Sequence, residues 1–378
     1  MIAMAVAMGV GRFVYTLILP GMMDGLGLTA ADAGLIASAN YLGYLVGALL
    51  AAGGWASGRE RTLMLAGLAG TALLCAAMGL TESLTAFLLI RFLAGLASAF
   101  VMVFLASIVF SHLAAAGRSD LQAVYFAGVG TGIALSSLMM LALSVLWPDW
   151  RAGWYLSAAL SAAGFLAAAF LIDRGPLANG AAGREPGLPR STALVKVILA
   201  YGLFGLGYIV TATFLVAIVR EGEGGPSFEA IVWLGTGLAA VTSVFLWNRI
   251  AVRTGLAVAY LLACFVEAAG VTASVTASGY AGPLVAGVLL GGTFVAITAL
   301  GLQLGRKLAP FAPRRTFALM TASFGLGQII GPVVAGYAAS ATGSFFLPSL
   351  GAAAALLASG LVALSARAAT AETSPKSP

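Results

Sequence analysis

Charge is what this chain has least of. Of its 378 residues only 8% are Asp, Glu, Lys or Arg, against about 25% in a soluble globular domain. That deficit excludes an ordinary water-facing surface. Histidine occurs once, at His112, and cysteine twice, at Cys75 and Cys264, each cysteine deep in apolar sequence. Neither a disulfide framework nor a metal site is expected from so few and so scattered ligands. An intramembrane enzyme would need a nucleophile paired with a base, and no such pair is present. No Gly-x-x-x-x-Gly-Lys-Ser/Thr loop occurs, so the chain itself is not expected to hydrolyse nucleotide. A signalling-sized polar domain is also lacking, which weighs against a receptor or scaffold. No cofactor is expected.

What the chain has instead is hydrophobic length. Hydrophobic residues make up 61%, divided by polar interruptions into twelve stretches of about 20 residues, the length that spans a bilayer. The first lies near 2–23 and the last near 345–367. Stretches of this length predict helices, because a barrel strand needs only about ten alternating residues. The fold class is therefore an all-α membrane protein of twelve transmembrane helices. The formal charge of +6 raises nucleic acid as a partner, but the distribution of the charges removes it. With both termini placed in the cytoplasm, fifteen basic residues fall on the inner side. Only Arg151 and Arg220 fall outside, and Arg12 and Arg91 lie within spans. This asymmetry is the positive-inside pattern of an even number of spans. The partner it implies is the lipid bilayer. The chain opens straight into apolar sequence with no basic stretch before it, so the first span reads as retained and not as a cleaved signal.

The longest polar interruption, 173–192, mixes Gly, Pro and charge and reads as a cytoplasmic linker. It separates a first bundle, 1–172, from a second, 193–367, with a cytoplasmic tail at 368–378. The halves also echo each other. Gly9-Val10-Gly11-Arg12 matches Gly205-Leu206-Gly207-Tyr208, and Arg118 precedes Gly128-Val129-Gly130 as Arg315 precedes Gly325-Leu326-Gly327. Two matches at one six-helix offset point to a duplicated bundle, a construction that places a transport site near the midplane. The duplication is chemically asymmetric: Tyr208 stands opposite Arg12.

On these residues the chain resembles the major facilitator superfamily over its whole length. Within it, the chain is similar to the bacterial branch labelled YbfB/YjiJ. The narrower match rests on Gly9-x-Gly11-Arg12-Phe13-x-Tyr15-Thr16-x-x-Leu19-Pro20, Gly205-x-Gly207-Tyr208-x-x-x-Thr213-Phe214 and Gly327-Gln328-x-x-Gly331-Pro332. The resemblance implies two pseudo-symmetric six-helix bundles, helices 1, 4, 7 and 10 around a central cavity, a bacterial inner-membrane location and a monomer. It also implies a gating loop between helices 2 and 3. Here Gly54-Trp55-Ala56-Ser57-Gly58-Arg59-Glu60-Arg61 lacks the usual Asp, and Glu60 stands between Arg59 and Arg61 in its place. Arg91-x-x-x-Gly95 matches the helix-4 motif. The helix-5 Gly-Pro of exchangers is missing, while helix 11 carries Gly331-Pro332.

The polar residues inside the spans carry the functional reading. A charge at membrane depth costs about 2.5–3.5 kcal/mol on insertion scales, and such residues face a cavity or a partner. Arg12 and Arg91 have almost no intramembrane carboxylate to neutralise them. A guanidinium binds carboxylate, phosphate or sulfonate through a planar fork, and the competing reading is a tie to backbone carbonyls of neighbouring helices. Tyr15, one turn from Arg12, and Tyr208 and Thr211, the repeat counterparts of Arg12 and Tyr15, complete a candidate substrate site. Asn40 and Tyr44, and Gln122 with Tyr125, read as packing or interhelical hydrogen bonders. Glu267 is the one carboxylate well inside a span and the candidate for proton coupling. The function read from sequence is transport of a small organic anion by alternating access, with protons or a counter-anion as coupling partner. The alternative is proton-driven efflux of hydrophobic or cationic compounds.

Overall fold

A computed structural model describes residues 1–53, 55–118, 121–147, 149–173, 186–222, 224–277 and 279–372, the side chains beyond Ala366 excepted. Twelve helices long and apolar enough to cross a membrane run through it. They are α1 (Ile2–Leu26), α2 (Ala30–Ala51), α3 (Glu60–Gly79), α4 (Leu84–Ala115), α5 (Gln122–Leu146) and α6 (Trp150–Leu171) in the first half. The second half comprises α7 (Thr192–Arg220), α8 (Gly225–Thr254), α9 (Leu256–Thr276), α10 (Ala281–Leu308), α11 (Pro313–Thr342) and α12 (Phe346–Ala366). Most of the linker and the end of the tail, and with them Arg174, Arg184 and Lys376, lie outside the described residues. So do Gly54 of the loop motif and Glu223.

Local chemistry explains where helices begin. Thr29 and Asp32 form a reciprocal capping box at the start of α2, satisfying amides that a helix end leaves orphaned. Asp149 accepts from the Arg151 amide to open α6, and Ser191 accepts from the Leu194 amide to open α7. The outward faces carry exposed Leu73, Val145, Phe170 and Val252, a surface that only lipid covers without penalty. The protein is a multi-pass membrane protein.

Glycines set the spacing between helices. A Cβ on Gly43 would meet the Phe92 carbonyl oxygen at 1.8 Å, and one on Gly95 the Asn40 oxygen at 1.9 Å. These two lock α2 against α4 within the first half. Repeat-related glycines do the same work twice: Gly9 meets Gly132 of α5 at 2.4 Å, and Gly205 meets the Phe324 oxygen of α11 at 2.5 Å. Other glycines join the halves. Gly34 of α2 would meet the Pro332 oxygen of α11 at 2.2 Å, and Gly130 of α5 the Gly237 oxygen of α8 at 2.5 Å.

With twelve spans, the start of α1 and the end of α12 lie at one end of the bundle, and Asp24 marks the other. Near the Asp24 end the halves are tied across their interface. Thr16 Oγ1 donates to the Ala212 carbonyl at 2.6 Å, Ser38 Oγ to the Ile329 carbonyl at 2.8 Å, and Ser144 and Ser227 share a bond of 3.1 Å. Arg220 reaches Asp24 across the halves and takes Glu229 of its own half in a two-pronged grip, one prong at 2.8 Å. By charge pattern Glu229 falls on the outer side. It is buried there, because the Arg220 fork supplies the hydrogen bonds that water would have made.

Candidate functional site

The site begins with a defect in α1. After a three-residue helical start the chain adopts a π-helical turn over Ala5–Val10, with Gly11 N–H reaching the Val6 carbonyl at 2.7 Å. Residues 11–13 form a turn, and α-helix resumes at Val14. Gly9, Gly11 and their neighbours tolerate this because the segment lies backbone-to-backbone on Gly132 of α5. The break costs a ladder bond. The Thr16 N–H that would serve Arg12 turns to the Phe13 carbonyl at 3.2 Å instead.

Arg91 of α4 repairs the break. Its Nη1 donates to the Gly11 carbonyl at 3.1 Å and its Nη2 to the Arg12 carbonyl at 3.2 Å. Its guanidinium lies over the Tyr15 ring at 5.0 Å and the Trp154 ring at 5.9 Å, and it is buried. Tyr15 in turn donates its hydroxyl to the Ala33 carbonyl at 2.9 Å. Arg91 and Tyr15 thus form one cluster; both Nη atoms of Arg91 and the Tyr15 hydroxyl go to backbone, while Arg91 Nε is buried without a partner, and neither residue is among those lining the central cavity. Asn40 adds to it by donating to the Arg91 carbonyl at 2.9 Å. The expected consequence is testable by melting the purified protein. Arg91→Met should lose about 1–3 kcal/mol for each carbonyl left orphaned, with Arg91→Lys recovering part. An unchanged melting temperature together with lost ligand affinity would return Arg91 to the substrate site.

Arg12 behaves in the opposite way. Its guanidinium is held between rings, 4.5 Å from the Tyr44 centroid, 4.8 Å from Tyr41 and 5.7 Å from Phe13. Nε and Nη2, the two nitrogens along one edge, are buried with no hydrogen-bond partner. That edge is the fork that grips a two-oxygen anion.

Arg12 lines a cavity of about 70 Å³ between the halves, on the terminal side of the cross-half bonds. Met4 and Met8 continue its face down α1, and Tyr44, Met102 and Phe126 come from α2, α4 and α5. The second half supplies Tyr201 and Tyr208 from α7, Phe294 and Thr298 from α10, and Phe317, Thr321 and Phe324 from α11. Among the described residues lining it, Arg12 is the only charged one. Tyr208 therefore meets Arg12 in one cavity, as the repeat alignment implied. Its ring lies parallel to Phe324 at 5.6 Å and to Phe294 at 5.9 Å, both within 8°, and Gln328 donates to its hydroxyl. Thr211 is one turn away, buried, with its hydroxyl unpartnered and outside the cavity lining.

The other expected residues lie apart from this cavity. Glu267 is fully buried in α9 with both carboxyl oxygens unpartnered, Thr293 of α10 beside it. In the loop between α2 and α3, which the resemblance implies is a gate, Glu60 opens α3. Arg61 donates to the Ile172 carbonyl at 2.6 Å and the Ala169 carbonyl at 2.7 Å, closing the end of α6. Arg59 is exposed at the α3 start. No group of three or more metal-ligating side chains occurs among the described residues. Sequence reasoning assigned Tyr44 to packing or interhelical hydrogen bonding and did not single out Phe294 or Phe324. Nothing in their spacing distinguishes them from lipid-facing aromatics.

The family described as "Uncharacterised MFS-type transporter YbfB" matches residues 4–364. The chain belongs to this family of the major facilitator superfamily. Solved structures agree on the fold of this YbfB-type transporter. A mutant form of the nucleoside transporter NupG superposes with a TM-score of 0.72 at 15% identity, covering 97% of this chain and 98% of that one. A bacterial homologue of the human lysosomal transporter Spinster, inward-facing and occupied, superposes with a TM-score of 0.69 at 14% identity, covering 97% and 94%. At such identities the likeness is one of fold. No curated protein matches by sequence.

Proposed function

We propose that this YbfB-type transporter carries a small organic anion, a carboxylate first of all, by alternating access around Arg12. The observation that carries the reading is the buried, unpartnered Nε/Nη2 edge of Arg12, a residue that lines a cavity with no acid among its described lining. A guanidinium edge kept dry and unpaired is unfavourable by itself, and an arriving two-oxygen anion removes the cost. The ties near the Asp24 end hold one closed gate, and rocking of the halves would exchange it for closure at the terminal end. The charge asymmetry supports placing both termini in the bacterial cytoplasm. A monomer suffices, because both halves of the cavity come from one chain.

Exchange against a second anion fits the cavity better than proton symport, since its described lining holds no carboxyl group. Glu267 remains the candidate proton carrier should uptake prove pH-dependent. Efflux of lipophilic cations is the second reading, supported by the aromatic and methionine walls and opposed by the cation among them. A thermal-shift panel on the purified protein separates the two. Ligand binding to the native state alone adds about 2.7 kcal/mol at 100 times Kd. Carboxylates, phosphates or sulfonates are expected to raise the melting temperature, with neutral metabolites and lipophilic cations inert. Stabilisation by lipophilic cations alone would hand the cavity to the efflux reading.

A further inference from the structure

The walls of the cavity are as specific as its charge. The Arg12 guanidinium carbon lies 4.8 Å from the Tyr41 ring centroid and 4.5 Å from that of Tyr44. The Nε/Nη2 edge has no hydrogen-bond partner, and it is the edge that pairs with a two-oxygen anion. The rest of a ligand held in this cavity borders the second half. There it meets Tyr208, Phe294 and Phe324, with Tyr208 parallel to each of the other two within 8°. The Gln328 bond to the Tyr208 hydroxyl holds that orientation.

We infer that the body of the transported anion is a flat aromatic ring, so that the ligand class is a small aromatic monocarboxylate. The inference rests on the anion reading above and sharpens it. Three physical arguments carry it. Rings of common orientation reward a ligand that offers a π-face to offset stacking beyond what its apolar area alone would give. The cavity, about 70 Å³ here, is smaller than the roughly 150 Å³ that houses benzene in an engineered protein, so the walls must part on binding. A planar ring needs only about 3.5 Å of clearance on each face, less than a puckered saturated ring of the same carbon count. Finally, one cation lines the cavity. A second carboxylate would sit uncompensated against the rings, at the cost of a desolvated charge.

The test compares benzoate, cyclohexanecarboxylate and isophthalate for binding to the purified full-length protein by calorimetry. Benzoate is expected to bind about fivefold or more tighter than cyclohexanecarboxylate, with isophthalate weaker than benzoate. In Phe324→Leu and in Phe294→Leu the benzoate preference should fall towards unity, with cyclohexanecarboxylate binding retained as evidence of an intact site. Cyclohexanecarboxylate equal to or tighter than benzoate in the wild type overturns the aromatic inference and leaves the anion reading standing. Isophthalate tighter than benzoate overturns the monocarboxylate part. Failure of all three acids to bind overturns the inference and the proposed function together.

Discussion

Arg12→Gln is expected to abolish anion uptake in proteoliposomes, by about 100-fold or more, and at the same time to leave the protein as stable as before or more so. The first effect follows from losing one partner of a buried charged pair, worth about 2–5 kcal/mol in comparable contacts, and each 1.4 kcal/mol is tenfold. The second follows from the unpartnered Nε and Nη2: buried N–H groups left without hydrogen bonds weaken the fold that contains them. Arg12→Lys keeps the charge and loses the planar fork, so intermediate uptake is expected. The pairing with Arg91 makes the test sharp. One buried arginine should lose function and keep stability, while the other, bonded to the Gly11 and Arg12 carbonyls, should lose stability first. Unchanged uptake in Arg12→Gln would sink the anion reading.

The second large effect lies in the glycines, and it splits by which helices they separate. Gly95→Val forces a side chain onto the Asn40 carbonyl, where a Cβ would already stand at 1.9 Å. Both helices belong to one half, so no conformational change relieves the clash. Loss of folded protein is expected, in the range of overpacked cores or beyond, about 1–3 kcal/mol or more. Gly34→Val makes an equally close clash, 2.2 Å from the Pro332 oxygen, but across the halves. There the protein can escape by opening. Ser144→Cys with Ser227→Cys reports on that interface, because the two hydroxyls lie 3.1 Å apart and the native Cys75 and Cys264 are both buried. Adding Gly34→Val to this pair should cut the disulfide yield severalfold while expression and melting stay near wild type. Equal yields with and without Gly34→Val would show that these contacts do not govern closure.

Much of the architecture was legible because bilayer length and hydropathy leave few choices. Twelve helical spans are what the described residues contain, with ends displaced by a few residues; α1, for instance, continues to Leu26. Arg12 was legible for the same reason that it is costly: a lone charge in apolar sequence has to face something. Arg91 looked identical by that criterion and does different work. The difference depends on the π-turn over Ala5–Val10, which has no signature beyond the glycines that permit it. Tyr44 read as a packing residue or interhelical hydrogen bonder, and its hydroxyl does donate to Met102 of α4; its contact with the Arg12 guanidinium is fixed by how α2 leans on α1 and has no sign in the sequence. The burial of Glu229 has no sign in the sequence, since only the meeting of α7 with α8 places it against Arg220. Residues defined by their own chemistry are readable from sequence, whereas residues defined by a neighbour's unmet bond are not.

The lone cation in the cavity has a consequence for energy supply. A monoanion seated on Arg12 makes the occupied site electrically neutral, whereas the vacant site carries one positive charge. A membrane voltage, worth about 2.3 kcal/mol per elementary charge per 100 mV across the full field, therefore acts on the return of the empty carrier and hardly on the loaded stroke. Net flux should respond to voltage, and one-for-one exchange, in which the carrier never crosses empty, should ignore it.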